Sequence, residues 1–226
     1  MKNCDLTKGN RVAQASIGHP ALKPLEAQCM QWCVQILQQQ GIWREDNQGE
    51  WCSPAPAFLQ YLNIDAAQVS DPAYRVLATR QLLSKPVSAA LVWPAGSVTP
   101  LMVNVRWLAR VLKLQACEMN LLVFCVLVKN HPHLASAIEW LGTIDRRRLS
   151  GMLAQWLGSS LHDVRVALSS AGRLCETGLL ESRGDTNQTF EEHFQLFRGL
   201  EDALLMPCSP KWKMLQGLVI EPFASG

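Results

Sequence analysis

The sequence predicts a mainly α-helical protein that carries a helix-turn-helix followed by a small β-hairpin. Apolar residues recur at helical spacing over most of the 226 residues. The most apolar run, residues 121–128, is too short to cross a bilayer, which takes about 20 helical residues, and is typical of a buried central helix. Gly158 separates two short helical patterns, and a glycine there permits the left-handed turn that ends a helix.

The first predicted element is an amphipathic helix over residues 25–40, after a segment, 1–23, that shows no periodic pattern. Its apolar side carries Leu25, Cys29, Trp32, Cys33, Ile36 and Leu37. Its polar side carries Glu26, Gln28, Gln31, Gln35, Gln38 and Gln39. Gly41 then ends the helix.

Three short elements are predicted next. Trp43 and Trp51 flank a turn-rich segment that favours a short hairpin. Helices over 58–64 and 72–84 follow. The second of them is opened by Asp71 and the proline after it, because proline fits the first position of a helix.

Proline and glycine are concentrated between residues 86 and 100, which marks the best boundary between two domains. We therefore expect a helical N-terminal subdomain over 1–95 and a second helical domain over 96–226. In the second domain, Asn104 is expected to cap a helix. The apolar run is expected to lie in a buried helix over 116–129.

Residues 147–157 and the pattern after Gly158 form the predicted helix-turn-helix. Ser160 and Asp163 have the S-x-x-D spacing of a helix start. The helix that they begin is expected to turn inward Leu161, Val164, Ala167 and Leu168. A strand then leads into a turn over 184–187, so the second domain is predicted to be a winged helix-turn-helix with a β-hairpin wing. An ordinary helical hairpin is the alternative.

The side chains expected to contact a partner lie on this module and near the C-terminus. They are Arg146, Arg147, Arg148, His162, Arg165, Ser169, Arg183 and Trp212. Between residues 145 and 185, six arginines stand against five acidic residues, and the whole chain has a net charge of only +2. Sequence readout and phosphate binding both need more cationic and amide side chains than this. The charge therefore favours a protein partner, with double-stranded DNA as the alternative.

A family resemblance rests on apolar spacing and a few glycines over about residues 100–223. It is carried by Val105-Arg106-Trp107-Leu108-Ala109, Leu153-Ala154, Leu157-Gly158, Gly178-Leu179-Leu180 and Leu200-Glu201-Asp202-Ala203-Leu204-Leu205. These stretches resemble the region ahead of the ATPase module in some bacterial AAA+ ATPases. The resemblance implies a helical, winged-helix-containing region that recruits or regulates, whose partner is a protein or a covalently linked ATPase module.

The chain departs from that family in one respect. It contains no G-x-x-x-x-G-K-S/T sequence, so we expect no P-loop to cradle nucleotide phosphates and no ATP hydrolysis by this chain. Two interpretations fit this departure: the N-terminal part of a longer protein, or a stand-alone relative without the motor. The stretch 221–226 is similar to the start of a linker.

No catalytic, cofactor-binding or metal site is predicted. His131 and His133 flank a proline and are expected on a turn, as surface or capping residues rather than zinc ligands. Cys29 and Cys33 lie on one helix face and are expected to be small buried side chains. Residues 191–193 are expected on the solvent-exposed side of a strand or helix. The predicted function is therefore binding without chemistry.

Cysteine content and the first residues predict the compartment. Eight cysteines occur without a CxxC pair, and residues 1–20 lack the apolar run of a secretory signal. A chain of this length with ample apolar residues needs no disulfides to stabilise its core. We therefore expect a reduced, cytoplasmic protein that does not contact a membrane.

Overall fold

The computed structural model describes residues 20–45, 51–86, 99–183 and 187–207. Over these ranges the protein is mainly helical with two small antiparallel sheets, which confirms the predicted mainly α class. The α-helices are α1 (Glu26–Gln40), α2 (Pro56–Tyr61), α3 (Pro72–Ser84), α4 (Pro100–Leu112), α5 (Ala116–Asn130), α6 (Pro132–Glu139), α7 (Arg146–Trp156), α8 (Leu161–Ala167), α9 (Arg173–Glu176), α10 (Phe190–His193) and α11 (Leu200–Leu205). The strands are β1 (Arg44–Glu45), β2 (Trp51–Cys52), β3 (Leu180–Ser182) and β4 (Phe194–Leu196).

Helix α1 is the predicted amphipathic helix, but its buried side is wider than expected. It packs against both α6 and α3, so Gln28 and Gln35, predicted on the polar side, are buried. Trp32 is fully buried, and its indole N–H donates to the carbonyl oxygen of Trp156 at 2.7 Å. This bond joins α1 to α7, and the described helices before and after the predicted domain boundary share one hydrophobic cluster. Residues 87–98, within that boundary, lie outside the described ranges.

The predicted hairpin and helix pair follow α1. Strands β1 and β2 pair antiparallel, with Arg44 opposite Cys52. Helix α2 ends earlier than predicted because Asn63 adopts a left-handed φ of +62°, which does not continue a helix. Helix α3 has the predicted bounds, and Asp71 caps it by accepting from the backbone N–H of Ala73 at 2.9 Å.

Helix α4 begins before its predicted cap. Thr99 accepts from the backbone N–H of Met102 at 3.2 Å and is the true N-cap, and the proline after it suits the first helical position. Asn104 was the wrong candidate because it lies inside the helix. Its side-chain amide instead donates to the carbonyl oxygens of Leu204 at 2.9 Å and Met206 at 3.1 Å, which ties α4 to the end of α11.

Helix α5 is the predicted central helix. Every side chain in the apolar run 121–128 is buried, because α4, α6, α8, α9 and β4 all pack around it. Among the helices of the described ranges, none is long and apolar enough by itself to cross a membrane. Helices α5 and α6 meet that test only as a pair, and the chain bends by 99° between them.

Candidate functional site

Helices α7 and α8 meet at Gly158, where the sequence predicts a turn. Gly158 has a φ of +61°, in the left-handed region that favours glycine. Ser160 then begins α8: its hydroxyl oxygen accepts from the backbone N–H of Asp163 at 3.0 Å, and its O–H donates to the Asp163 carboxylate at 2.7 Å. The predicted S-x-x-D pair therefore fixes where α8 starts.

Helix α8 packs its inner side on α5 and leaves its outer side to solvent. Val164 and Ala167 are buried as predicted. Leu161, also predicted to point inward, is 40% exposed, because it is the first residue of the helix and lies at the edge of the packed side. Val166 is 48% exposed. Solvent thus reaches two large apolar side chains of α8, Val166 on its outer side and Leu161 at the edge of its packed side.

A groove of about 600 Å³ runs beside α8. Residues in the first turns of α5, α8 and α9 line it, including Cys117, His162, Asp163 and Arg173. Val166 lines it as well, so the groove continues onto the outer side of α8. The sequence did not predict this groove, because one wall comes from α5 and the other walls come from α8 and α9, which follow much later in the chain.

Glu118 lines the groove and connects two of the helices that form it. Its side chain is only 4% exposed, although it carries a carboxylate. One carboxylate oxygen accepts from the backbone N–H of Gln115 at 2.8 Å, and the other accepts from the backbone N–H of Arg173 at 2.5 Å. These two donors lie at the starts of α5 and α9, so one carboxylate caps both helices and holds them together.

Replacing Glu118 by glutamine should lower the free energy of unfolding by about 1–3 kcal/mol, because an amide group would face one of the two buried N–H donors. Urea unfolding at constant pH measures this change. Glu45→Gln is the matched control, since Glu45 is exposed on β1, and it should change the free energy of unfolding by less than about 0.5 kcal/mol. Equal stability of the two variants would contradict the capping role of Glu118.

Two of the predicted contact arginines form hydrogen bonds with other residues of the chain. Arg146 donates to the carbonyl oxygen of Leu168 and ties the start of α7 to the end of α8. Arg148 donates to the side chain of Gln40, at the end of α1, at 3.2 Å. Arg147, between them, is exposed. Arg148 is also exposed, so the start of α7 presents two exposed guanidinium groups rather than the predicted three.

Among the other predicted contact residues, some are bonded within the chain and others are exposed. Arg183 forms an ion pair with Glu181 at 2.8 Å, which raises the pKa of the guanidinium. His162 and Arg165 are exposed on α8. The hydroxyl of Ser169 donates to the carbonyl oxygen of Val166. Trp212 lies outside the described residues. Only part of the predicted surface is thus gathered around α8.

Two histidines are buried where the sequence favoured exposure. His131 does cap α6, because its Nδ1 accepts from the backbone N–H of Leu134 at 3.2 Å, and its Nε2 lies 3.1 Å from the Glu26 carboxylate. It is not a surface residue, since the ring is almost fully covered. His193 is also buried, with its Nε2 2.7 Å from the carbonyl oxygen of Ile144. The glutamates before it in 191–193 are exposed, as predicted.

The cysteines of the described ranges are free thiols. Cys29 and Cys33 are fully buried, as predicted. Burial raises the pKa of Cys117 in the groove, and it raises the pKa of Cys125 in α5 to about 12. A nucleophilic cysteine needs the opposite shift, since the thiolate is the reactive form.

The part of the chain that the structure describes has no group of three or more His, Cys, Asp or Glu side chains placed to hold a metal ion. The groove therefore offers a concave shape, the exposed apolar side chain of Val166 and a few polar groups for binding. No family model matches this chain, and no curated protein or solved structure matches it.

Proposed function

We propose that residues 144–196 form a winged helix-turn-helix and that this module binds protein partners through the outer side of α8. The order of elements supports the proposal. Ile144 pairs with Gln188, and between them come α7, α8, α9 and β3, which pairs antiparallel with β4. In this arrangement α8 has the position of the recognition helix and the hairpin is the wing. Residues 184–186, at the predicted wing turn, lie outside the described ranges.

The observation that favours a protein partner is the exposure of apolar side chains on α8. Leu161 and Val166 are exposed, and Val166 also lines the groove; exposed apolar side chains beside a groove mark interaction sites. A helix that reads DNA would need cationic and amide side chains there. Arginines of this region instead bind within the chain: Arg146 to Leu168, Arg148 to Gln40, Arg173 to Glu176 and Arg183 to Glu181.

The resemblance to the region ahead of a bacterial AAA+ module supports a particular partner. In this proposal the partner is an AAA+ ATPase, either linked to the chain or a separate subunit, and the chain recruits or regulates it. The chain itself performs no catalytic step in this role. Burial of the Cys117 thiol in the groove is consistent with binding rather than nucleophilic chemistry.

Photocross-linking in the source cells tests this proposal. A photoreactive benzoylphenylalanine at Val166 should give a covalent adduct with a protein segment that contains a P-loop. Val76 is the matched control, because it is an equally exposed valine on α3, at 54% against 48%. The same label at Val76 should not give that adduct. Identical adducts at both positions, or none at Val166, would overturn the docking proposal, and a partner without a P-loop would overturn the ATPase assignment.

Duplex-DNA binding is the second candidate, favoured by the exposed His162 and Arg165 on α8. Under the protein-docking proposal, the chain should not bind a duplex at low salt. Salt-sensitive binding that disappears in the Arg165→Ala, Arg183→Ala double variant would replace that proposal with the DNA-binding one. Fluorescence anisotropy with a labelled duplex measures the affinity at each salt concentration.

A further inference from the structure

A second cavity, of about 180 Å³, lies at the other end of α5 from the groove. Val128, Ile138 and Phe190 line it, and all three are buried apolar side chains. Its walls are the C-terminal end of α6 and the first residues of α10. Val128 follows Cys117 by three helical turns, about 16 Å along α5, so this cavity is separate from the groove beside α8.

Two exposed carboxylates stand at the rim of this cavity. Glu139 is the last residue of α6, and Glu191 is the second residue of α10. Neither forms a salt bridge with any residue in the described part of the chain. A third glutamate nearby, Glu192, is already held by the backbone N–H and the hydroxyl of Thr189.

The end of α6 adds to this negative charge, because the C-terminus of a helix carries a partial negative charge. Arg44 opposes it in part, since its guanidinium approaches Gly142, which lines the cavity. That guanidinium lies over the ring of Trp140, 4.8 Å from its centroid. Three glutamates thus stand around the cavity, and the Arg44 guanidinium near Gly142 is stacked on a ring, with Arg148 as its neighbouring cation.

We propose that this cavity binds an arginine or lysine side chain on a basic segment of a partner protein. Long cationic side chains bury their aliphatic stems on apolar surfaces and keep the charged group at the edge. Here the stem lies against Val128, Ile138 and Phe190, and the charged group reaches Glu139 and Glu191. The inference does not depend on the α8 docking proposal, because it concerns a different surface.

Nuclear magnetic resonance titration of the full chain with N-acetyl-arginine methylamide tests this inference. The methyl signals of Val128 and Ile138 should shift and saturate, with a Kd in the millimolar range. The comparison probe is N-acetyl-norleucine methylamide, which has a similar stem without the charge and should bind several-fold more weakly. No saturable shift with the arginine probe, or equal affinity for the two probes, would overturn the inference.

Charge removal at the rim gives a second, independent measurement. The Glu139→Gln, Glu191→Gln double variant should bind the arginine probe roughly tenfold more weakly, because it loses two carboxylate–cation contacts. The Glu45→Gln, Asp202→Asn double variant changes the net charge equally at exposed positions elsewhere and should keep the affinity. Unchanged affinity in the rim variant would overturn the inference even if the Val166 cross-link were found.

Discussion

Replacing Trp156 by alanine should lower the free energy of unfolding by about 3–5 kcal/mol, the usual cost of removing a buried aromatic side chain. The indole is 0% exposed at the end of α7 and lies 5.7 Å from the ring of Phe124 in α5. Its N–H also donates to the side chain of Gln39 at 3.1 Å. The substitution therefore leaves a cavity where α1, α5 and α7 meet. Urea denaturation followed by circular dichroism measures the change.

Trp51→Ala is the control for this experiment. Trp51 is half exposed on β2, and the guanidinium of Arg75 lies over its ring, 4.6 Å from the centroid. Its loss should lower the free energy of unfolding by less than about 1 kcal/mol, since such cation–π contacts at exposed sites are weak. A loss of similar size from Trp156→Ala would mean that α7 does not pack on the central helix.

Gly172→Ala should destabilise the protein by about 1–3 kcal/mol or more, because the added methyl group overpacks the junction between α8 and α9. A Cβ at this position would lie 2.8 Å from the carbonyl oxygen of Val166 and closer still to that of Ala167. Both obstacles are backbone atoms, so no side-chain rotation relieves the clash. Thermal or urea unfolding of the variant measures the loss.

Gly151→Ala is a control with the opposite expected sign. Gly151 lies inside α7, and a Cβ there would meet no heavy atom within 4 Å. Alanine at this position should raise the free energy of unfolding by about 0.5–1 kcal/mol, because a helical glycine costs backbone entropy. If both glycine variants changed stability in the same direction, the close approach of the chain at Gly172 would be wrong.

The sequence predicted most of the helices because their signals are local. Apolar spacing located α1 and α5, and capping residues located α3 and α8, where Asp71 and Ser160 act within their own first turn. Predictions failed where a distant neighbour decides the outcome. Gln28 is buried because helices pack on two sides of α1. The side-chain amide of Asn104 donates to a carbonyl oxygen on α11, 100 residues later in the chain.

The candidate site shows the same limit more sharply. The arginines at the start of α7 have the composition of a phosphate-binding cluster, yet Arg146 is bound to the carbonyl oxygen of Leu168, 22 residues later in the chain. In the sequence, Glu118 indicates only the start of a helix. Its second hydrogen-bond donor, the backbone N–H of Arg173, lies 55 residues later in the chain. Local patterns located α8, but only the packing of three helix ends shows the groove beside it.

The carboxylate of Glu118 has a consequence for ligand selection. It lies where two chain segments direct amide hydrogens toward one point, which is the arrangement that elsewhere captures phosphate groups. A phosphorylated peptide or a nucleotide entering from solvent would find that position filled by a resident anion. Under the docking proposal, we therefore expect the groove beside Val166 to favour neutral or cationic segments of a partner.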